Sequence, residues 1–323
     1  MSPDSVAQLI RSGRFLSIAA DESQLRRLPR GNWIGGTIPY FMGQDGGVSS
    51  RDALFVTVFP MLAARPSIRF YDAAELPRVC ADAPENGFSL VIIPAFSALH
   101  SRFAHDAPGY DDMYVKPLVG WIAGIHLDDL ATARPAVVNG TTLEADCERA
   151  IVMHVDLPPS LHARIDIINL FRQGSGDRIR FPATGFSADR CLINGQPANF
   201  AEYVVARGID TRLPLVADYS GALVNVSFKG VDRERRRVDF YAPVFDEIEY
   251  RVAAEVPDYV RAFQSAMPDA ERPVAFCCNC ILNYLYSELE GKQTGHMRGP
   301  MTFGEVAYQL VNQTLVYLSI DAD

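Results

Sequence analysis

The sequence predicts an α/β and α+β protein of two modules, with mixed sheets flanked by helices and a second module built on a largely antiparallel sheet. Three observations carry that expectation. Continuously apolar runs such as Phe88-Ser-Leu-Val-Ile-Ile93 and Leu118-Val-Gly-Trp-Ile122 read as central strands covered on both faces. A helix-forming segment, 97–105, follows the first of them directly, so strand and helix alternate. Beyond residue 140 the runs lengthen and alternate apolar with polar residues, the period of a sheet with one wet face.

In chain order, 5–10 reads as a short helix, 15–18 as a strand and 22–28 as a second helix. Short strands follow at Trp33-Ile34, 54–59, 67–71, 88–93 and 118–122. The turn dipeptide Asn139-Gly140 interrupts the apolar pattern and sets the expected boundary, between modules at 1–140 and 141–323. Strands are then expected at 150–155, 163–170, 222–228, 237–241 and 247–252. The segment 258–266, between Pro257 and Pro268, is the best-bracketed helix of the second module. The basic run 233–237, with Glu234 inside it, falls between two strand-like segments and reads as a solvated hairpin turn.

Composition excludes several classes. A chain of 323 residues, 48% apolar and 21% charged, can bury one large core or two ordinary ones, which opposes disorder. The net charge of −9 opposes a phosphate-binding surface, so nucleic acid is not an expected partner. No apolar run approaches the roughly 18 residues of a membrane span, and the first twenty residues lack a secretory pattern, so no membrane partner and a cytoplasmic location are expected. Six scattered or clustered cysteines do not form the dense framework of a small secreted domain; reduced thiols are the default.

The last fifty residues are the most informative. Pro273-Val-Ala-Phe-Cys-Cys-Asn-Cys280 reads as a buried strand running into thiols, Gly299-Pro-Met-Thr-Phe-Gly-Glu305 as a turn, and 312–320 as a terminal core strand. Polar Cys, Asn and Glu against apolar strand ends are a common setting for a binding site. Here the residues resemble the FIST sensory domains of bacterial signalling proteins. Phe303-Gly-Glu305 is similar to that family's Tyr-Gly-Glu-like turn and Asn312-Gln-Thr-Leu315 to its terminal strand. Trp33-Ile-Gly-Gly-Thr-Ile38 and Pro117-Leu-Val-Gly-Trp-Ile-Ala-Gly124 are similar in placement to its small-residue strand end and Gly-rich second strand, though the usual Cys-Thr-Ala-Gly is missing. The resemblance implies FIST N-like and C-like modules over nearly the whole chain. It implies a small-molecule sensor and does not imply catalysis; signal transduction is then expected to run through a separate partner, such as a kinase or other output protein. Amino-acid-like ligands, or heme in some members, are what such domains are supposed to hold.

The residues leave other chemistry open. Cys277 and Cys280 have zinc-ligand spacing, but no second pair accompanies them; packing as small apolar residues is the simpler reading. A thiol of the 277–280 cluster acting as an enzyme nucleophile needs a base that the sequence does not name. Of six histidines, His100 and His105 are spaced for different helix faces, while His126, before Asp128-Asp129, is the strongest metal or heme candidate. Gly35-Gly36 and Gly43-Gln-Asp-Gly-Gly47 match neither nucleotide-binding fingerprint. Asp45, Arg51 and Asp52 could meet a zwitterion from a loop, although an exposed turn is the simpler reading. The expected site lies where the modules meet, with Gly35, Gly36 and Tyr40 from the first and Cys277, Asn279, Cys280, Glu305 and Asn312 from the second. Asn279 and Asn312 would orient polar groups of the ligand, and Glu305 would pair with a cation or a structural arginine.

Overall fold

The computed structural model describes residues 1–60, 66–219, 221–269 and 273–322. Its architecture is mixed α/β and α+β, as the patterning predicts. Three mixed sheets enclose the largest core. One runs in the order Glu144–Asp146, Val137–Asn139, Trp33–Thr37, Phe15–Ala20, Phe55–Phe59, with only Phe15–Ala20 and Trp33–Thr37 parallel. A second runs Gln309–Val311, Glu305–Ala307, Leu118–Ala123, Gly87–Pro94, Ala150–Asp156, Ser67–Tyr71, with Gly87–Pro94 and Leu118–Ala123 parallel. The third runs Leu161–Ile168, Leu315–Ala322, Val274–Cys280, Gly299–Thr302, Tyr40–Met42, Gly47–Ser49. The strands Phe15–Ala20, Gly87–Pro94 and Leu118–Ala123 are buried at every position, which is why they read as unbroken apolar runs.

Hydrogen bonding does not part at Asn139-Gly140. Ala150–Asp156 lies between Gly87–Pro94 and Ser67–Tyr71, and Glu305–Ala307 completes the other side of Leu118–Ala123. Gly299–Thr302 pairs with Tyr40–Met42. The segment that packs by itself is instead an insertion between Ile168 and Tyr259. Its six-stranded sheet, from Gln196–Asn199 to Ala222–Val226, is antiparallel throughout, and a three-stranded sheet centred on Arg237–Val244 lies with it. Phe181, Phe200, Phe228, Phe240 and Tyr250 fill a core of their own there. The basic run turns the hairpin between Phe228–Asp232 and Arg237–Val244, with Arg236 at φ 53°. The aromatic stripe that this insertion needs is spread over nearly seventy residues of chain, so no local period announced it.

Caps explain where the helices begin. Ser97 accepts from the His100 N–H and starts Ala98–Asp106; Asp258 accepts from the Arg261 N–H and starts Tyr259–Ala266. The second helix is shorter than its pattern, Glu22–Leu25, with Asp21 as its cap. No helix among the described residues is long and apolar enough to cross a membrane.

Candidate functional site

Strand Val274–Cys280 runs directly into a short helix, Ile281–Tyr286, and that junction gathers the buried polar groups of the C-terminal region. Asn279 Oδ1 accepts from the backbone N–H of Cys280 (2.7 Å) and from Nδ2 of Asn283 (2.9 Å). Thr302 Oγ1 donates within the same group, with the carbonyls of Asn279 (3.2 Å) and Gly304 (3.0 Å) in reach. Glu305 is fully buried. Its Oε2 accepts from Thr314 Oγ1 (2.7 Å) and from the Thr314 N–H (3.3 Å), and Cys280 lies against the same carboxyl. Burial pushes the Glu305 carboxyl up to about 8, against the opposing pull of these hydrogen bonds. Near pH 7 it is therefore held largely protonated. The cationic partner expected for Glu305 is not what the fold supplies, because Thr314, Thr302 and Cys280 occupy its surroundings.

One face of this group reaches a cavity of about 360 Å³ between the insertion and the main body. Asn283, Tyr259 and Gln313 form its buried floor, and Phe171 and Val256 are among its apolar walls. Asp210, Arg212 and Glu255 stand at its rim. Arg212 grips Asp210 with two bonds, Nη2 to Oδ2 at 2.7 Å and Nε to Oδ1 at 3.0 Å, and this pairing holds the Asp210 carboxyl below its ordinary range. Gln313 is fixed by donating to the Arg212 carbonyl (3.0 Å) and accepting from Ser227 Oγ (2.7 Å). Asn283 is 1% exposed, and its Oδ1 has no hydrogen-bond partner among the described residues. A buried amide oxygen left unpaired is unusual and calls for a donor that the described residues do not provide.

The residues expected to form one site do not all come together. Asn279, Cys280 and Glu305 are brought together as described. Asn312 lies beside Gln313; its own carbonyl accepts from Asn225 Nδ2 (3.0 Å), while its Oδ1 has no partner among the described residues. Gly35 and Gly36 are packing positions: a Cβ on Gly36 would come within 2.6 Å of Trp121 Cη2 and 2.7 Å of Ile92 Cγ2. Tyr40 accepts from the Leu127 N–H (3.1 Å), stacks on His126 at 5.4 Å and meets the edge of Tyr284, on the short helix, at 5.7 Å.

The metal-ligand spacing of Cys277 and Cys280 loses its meaning on a strand, where residues three apart face opposite sides. Cys277 Sγ donates to the Arg298 carbonyl (2.9 Å) and Cys278 Sγ to that of Gly120 (3.4 Å). Burial pushes the Cys277 thiol up to about 12 and holds Cys278 and Cys280 well above the ordinary thiol range, which opposes a nucleophilic thiolate. His126 is occupied by Tyr40 and by the Asp128 N–H (3.3 Å). Among the described residues, no group of three or more His, Cys, Asp or Glu side chains is arranged to hold a metal ion. In the glycine-rich loop region, Arg51 bonds Asp129 at 2.5 Å, an internal ion pair linking that loop to the turn after Leu118–Ala123.

Sequence reasoning missed Asn283, Tyr259 and Gln313. The one available signal was Asn283 standing a helical turn beyond Asn279, immediately after a buried strand. It also missed a buried chain of Ser89, His154, Tyr71 and Asp82. Ser89 Oγ meets His154 Nδ1 at 2.7 Å, Tyr71 Oη meets Nε2 at 2.8 Å, and Tyr71 donates to Asp82 at 3.2 Å. Ser89, His154 and Tyr71 sit on neighbouring strands of the second sheet, Asp82 lies on the segment after Ser67–Tyr71, and the group reads as a structural network rather than a catalytic one.

A family model described as "Family of unknown function (DUF6976)" matches residues 1–321, and the chain belongs to that family. No curated protein matches it.

Proposed function

We propose that the protein is a small-molecule sensor of the FIST type, which binds an amino-acid-like ligand in the cavity floored by Asn283 and acts in signal transduction through a separate output protein in the cytoplasm. The observation that carries this reading is buried Asn283, its Oδ1 unpaired among the described residues, in the floor of a cavity ringed by charges of both signs. A ligand ammonium would meet Asn283 and Glu255, and a ligand carboxylate would meet Arg212. Apolar walls at Phe171 and Val256 suit a short side chain. Such a cavity lies within the usual size range for small-molecule sites, about 300–1,000 Å³. The absence of a reactive thiolate in the 277–280 strand favours binding over covalent chemistry.

The test is a thermal-shift screen of the full chain against the twenty amino acids, followed by calorimetry on whichever raises the melting temperature. Wild type should respond to at least one, and Asn283→Leu should bind that compound at least about tenfold more weakly, the loss of one hydrogen bond to a charged group. No response to any amino acid at millimolar concentration, or equal binding by the Leu variant, would overturn the reading. A Soret band in the purified protein would replace it with a heme sensor.

A further inference from the structure

A second cavity, also about 360 Å³, opens on the other side of the helix Ile281–Tyr286. The helix divides its residues by turn: Asn283 and Tyr286 face the amino-acid cavity, while Ile281, Leu282 and Leu285 line this one. The two are therefore separate compartments. Its other walls come from the Ala95–His100 segment, the turn at Leu127 to Leu130, and the insertion's hairpin at Lys229 and Tyr241.

Four independent features make it a site rather than a packing gap. Phe96, Leu130 and Leu285 are 50%, 49% and 38% exposed, so its mouth is an apolar patch left open to water. Phe96 stands at φ 64°, a left-handed conformation that a bulky aromatic rarely adopts. His100 is nine-tenths buried, and its Nε2 has no hydrogen-bond partner among the described residues. Burial, aided by the nearby Lys229 charge, holds this imidazole down to about 4, so it is neutral at pH 7. In the tautomer with the proton on Nε2 it can donate to an anion. Lys229 is exposed, and its ammonium lies 5.6 Å from the centre of the Phe96 ring.

We infer that this cavity binds a small amphipathic monocarboxylate, with the carboxylate held between Lys229 Nζ and His100 Nε2 and the apolar tail laid against Leu285, Leu130 and Phe96. An uncharged apolar ligand would leave both polar groups unpaired. A phosphate or another compact anion would leave the apolar mouth exposed. The paired requirement of one charge and one tail selects the amphipathic acid.

The probes are octanoate and octan-1-ol, which share a tail and differ in the head group, titrated by calorimetry into the full chain at pH 7. Octanoate is expected to bind at one equivalent, and octan-1-ol at least about tenfold more weakly, since a charged hydrogen bond is lost. Lys229→Met, at an exposed position, should reduce octanoate to the affinity of octan-1-ol. Leu285→Trp, which fills the mouth, should abolish binding of both. Equal affinities for the two probes, octanoate binding unmoved by Lys229→Met, or no binding of either at millimolar concentration would each overturn the assignment. A negative result here leaves the amino-acid cavity untouched, because the screen for that ligand reads the opposite face of the helix.

Discussion

Thr314 holds the Glu305 carboxyl with both its hydroxyl (2.7 Å) and its backbone N–H (3.3 Å), joining the start of the terminal strand to the strand beside Leu118–Ala123. Two donors to one buried oxygen would ordinarily favour the carboxylate, yet desolvation outweighs them.

That balance makes stability depend on pH. Glu305 keeps its proton up to about 8 in the fold, whereas an unfolded glutamate loses it near 4.5. Its contribution is thus complete below the unfolded value and is lost as pH rises through the folded one. Glu305→Gln should flatten the decline in urea midpoint between pH 5 and 8.5 and leave the values at pH 4 to 5 nearly unchanged. Parallel midpoint curves for the two proteins would sink the idea.

The Ser89–His154–Tyr71 chain acts in the opposite direction. Burial holds His154 down to about 4, so the folded protein resists a proton that the unfolded chain takes up near 6.5. Stability is complete above 6.5 and falls as pH drops toward 4. His154→Leu should weaken this acid limb and, by leaving the Ser89 and Tyr71 hydroxyls without their ring partner, cost about 2–4 kcal/mol at pH 7. A loss well under 1 kcal/mol at neutral pH would show that the network contributes little.

Gly36 is a point of close approach between the first two sheets. Adding one methyl there drives it into Trp121 and Ile92, and Gly36→Ala should lose about 1–3 kcal/mol of stability without altering ligand binding. Chemical denaturation checks the first part and the amino-acid titration the second. An Ala variant as stable as wild type would mean that the two sheets separate easily.

The thiols of the 277–280 strand are inert in the native state. All three are buried with raised pKa values, while Cys147 is half-exposed. A disulfide reagent at pH 8 should label Cys147 rapidly and reach the strand only in denaturant. Fast labelling of a second cysteine in the native protein, located by mass spectrometry, contradicts this.

Local pattern revealed what local physics decides. Continuously apolar runs at 88–93 and 118–122 became central strands, and Asp258 capped its helix, because both depend on neighbours in sequence. The polar group around Asn279 and Glu305 was legible as polar residues placed against strand ends. Partnership across the chain was not. Nothing near Asn139-Gly140 says that Ala150–Asp156 will lie beside Gly87–Pro94, so a turn signal stood in for a module boundary. His100 was one of six unremarkable histidines until burial left its Nε2 without a partner among the described residues, and the aromatic core of the insertion has no period short enough to read.

The sheet order also sets a timetable for synthesis. Leu118–Ala123 leaves the ribosome some 190 residues before Glu305–Ala307, the strand that covers its open side. At about 5–20 residues per second, that edge stays unpaired for roughly ten to forty seconds. Throughout that interval it offers backbone donors and acceptors, on an apolar strand, to any other chain. The C-terminal strands thus serve as the seal that ends its exposure.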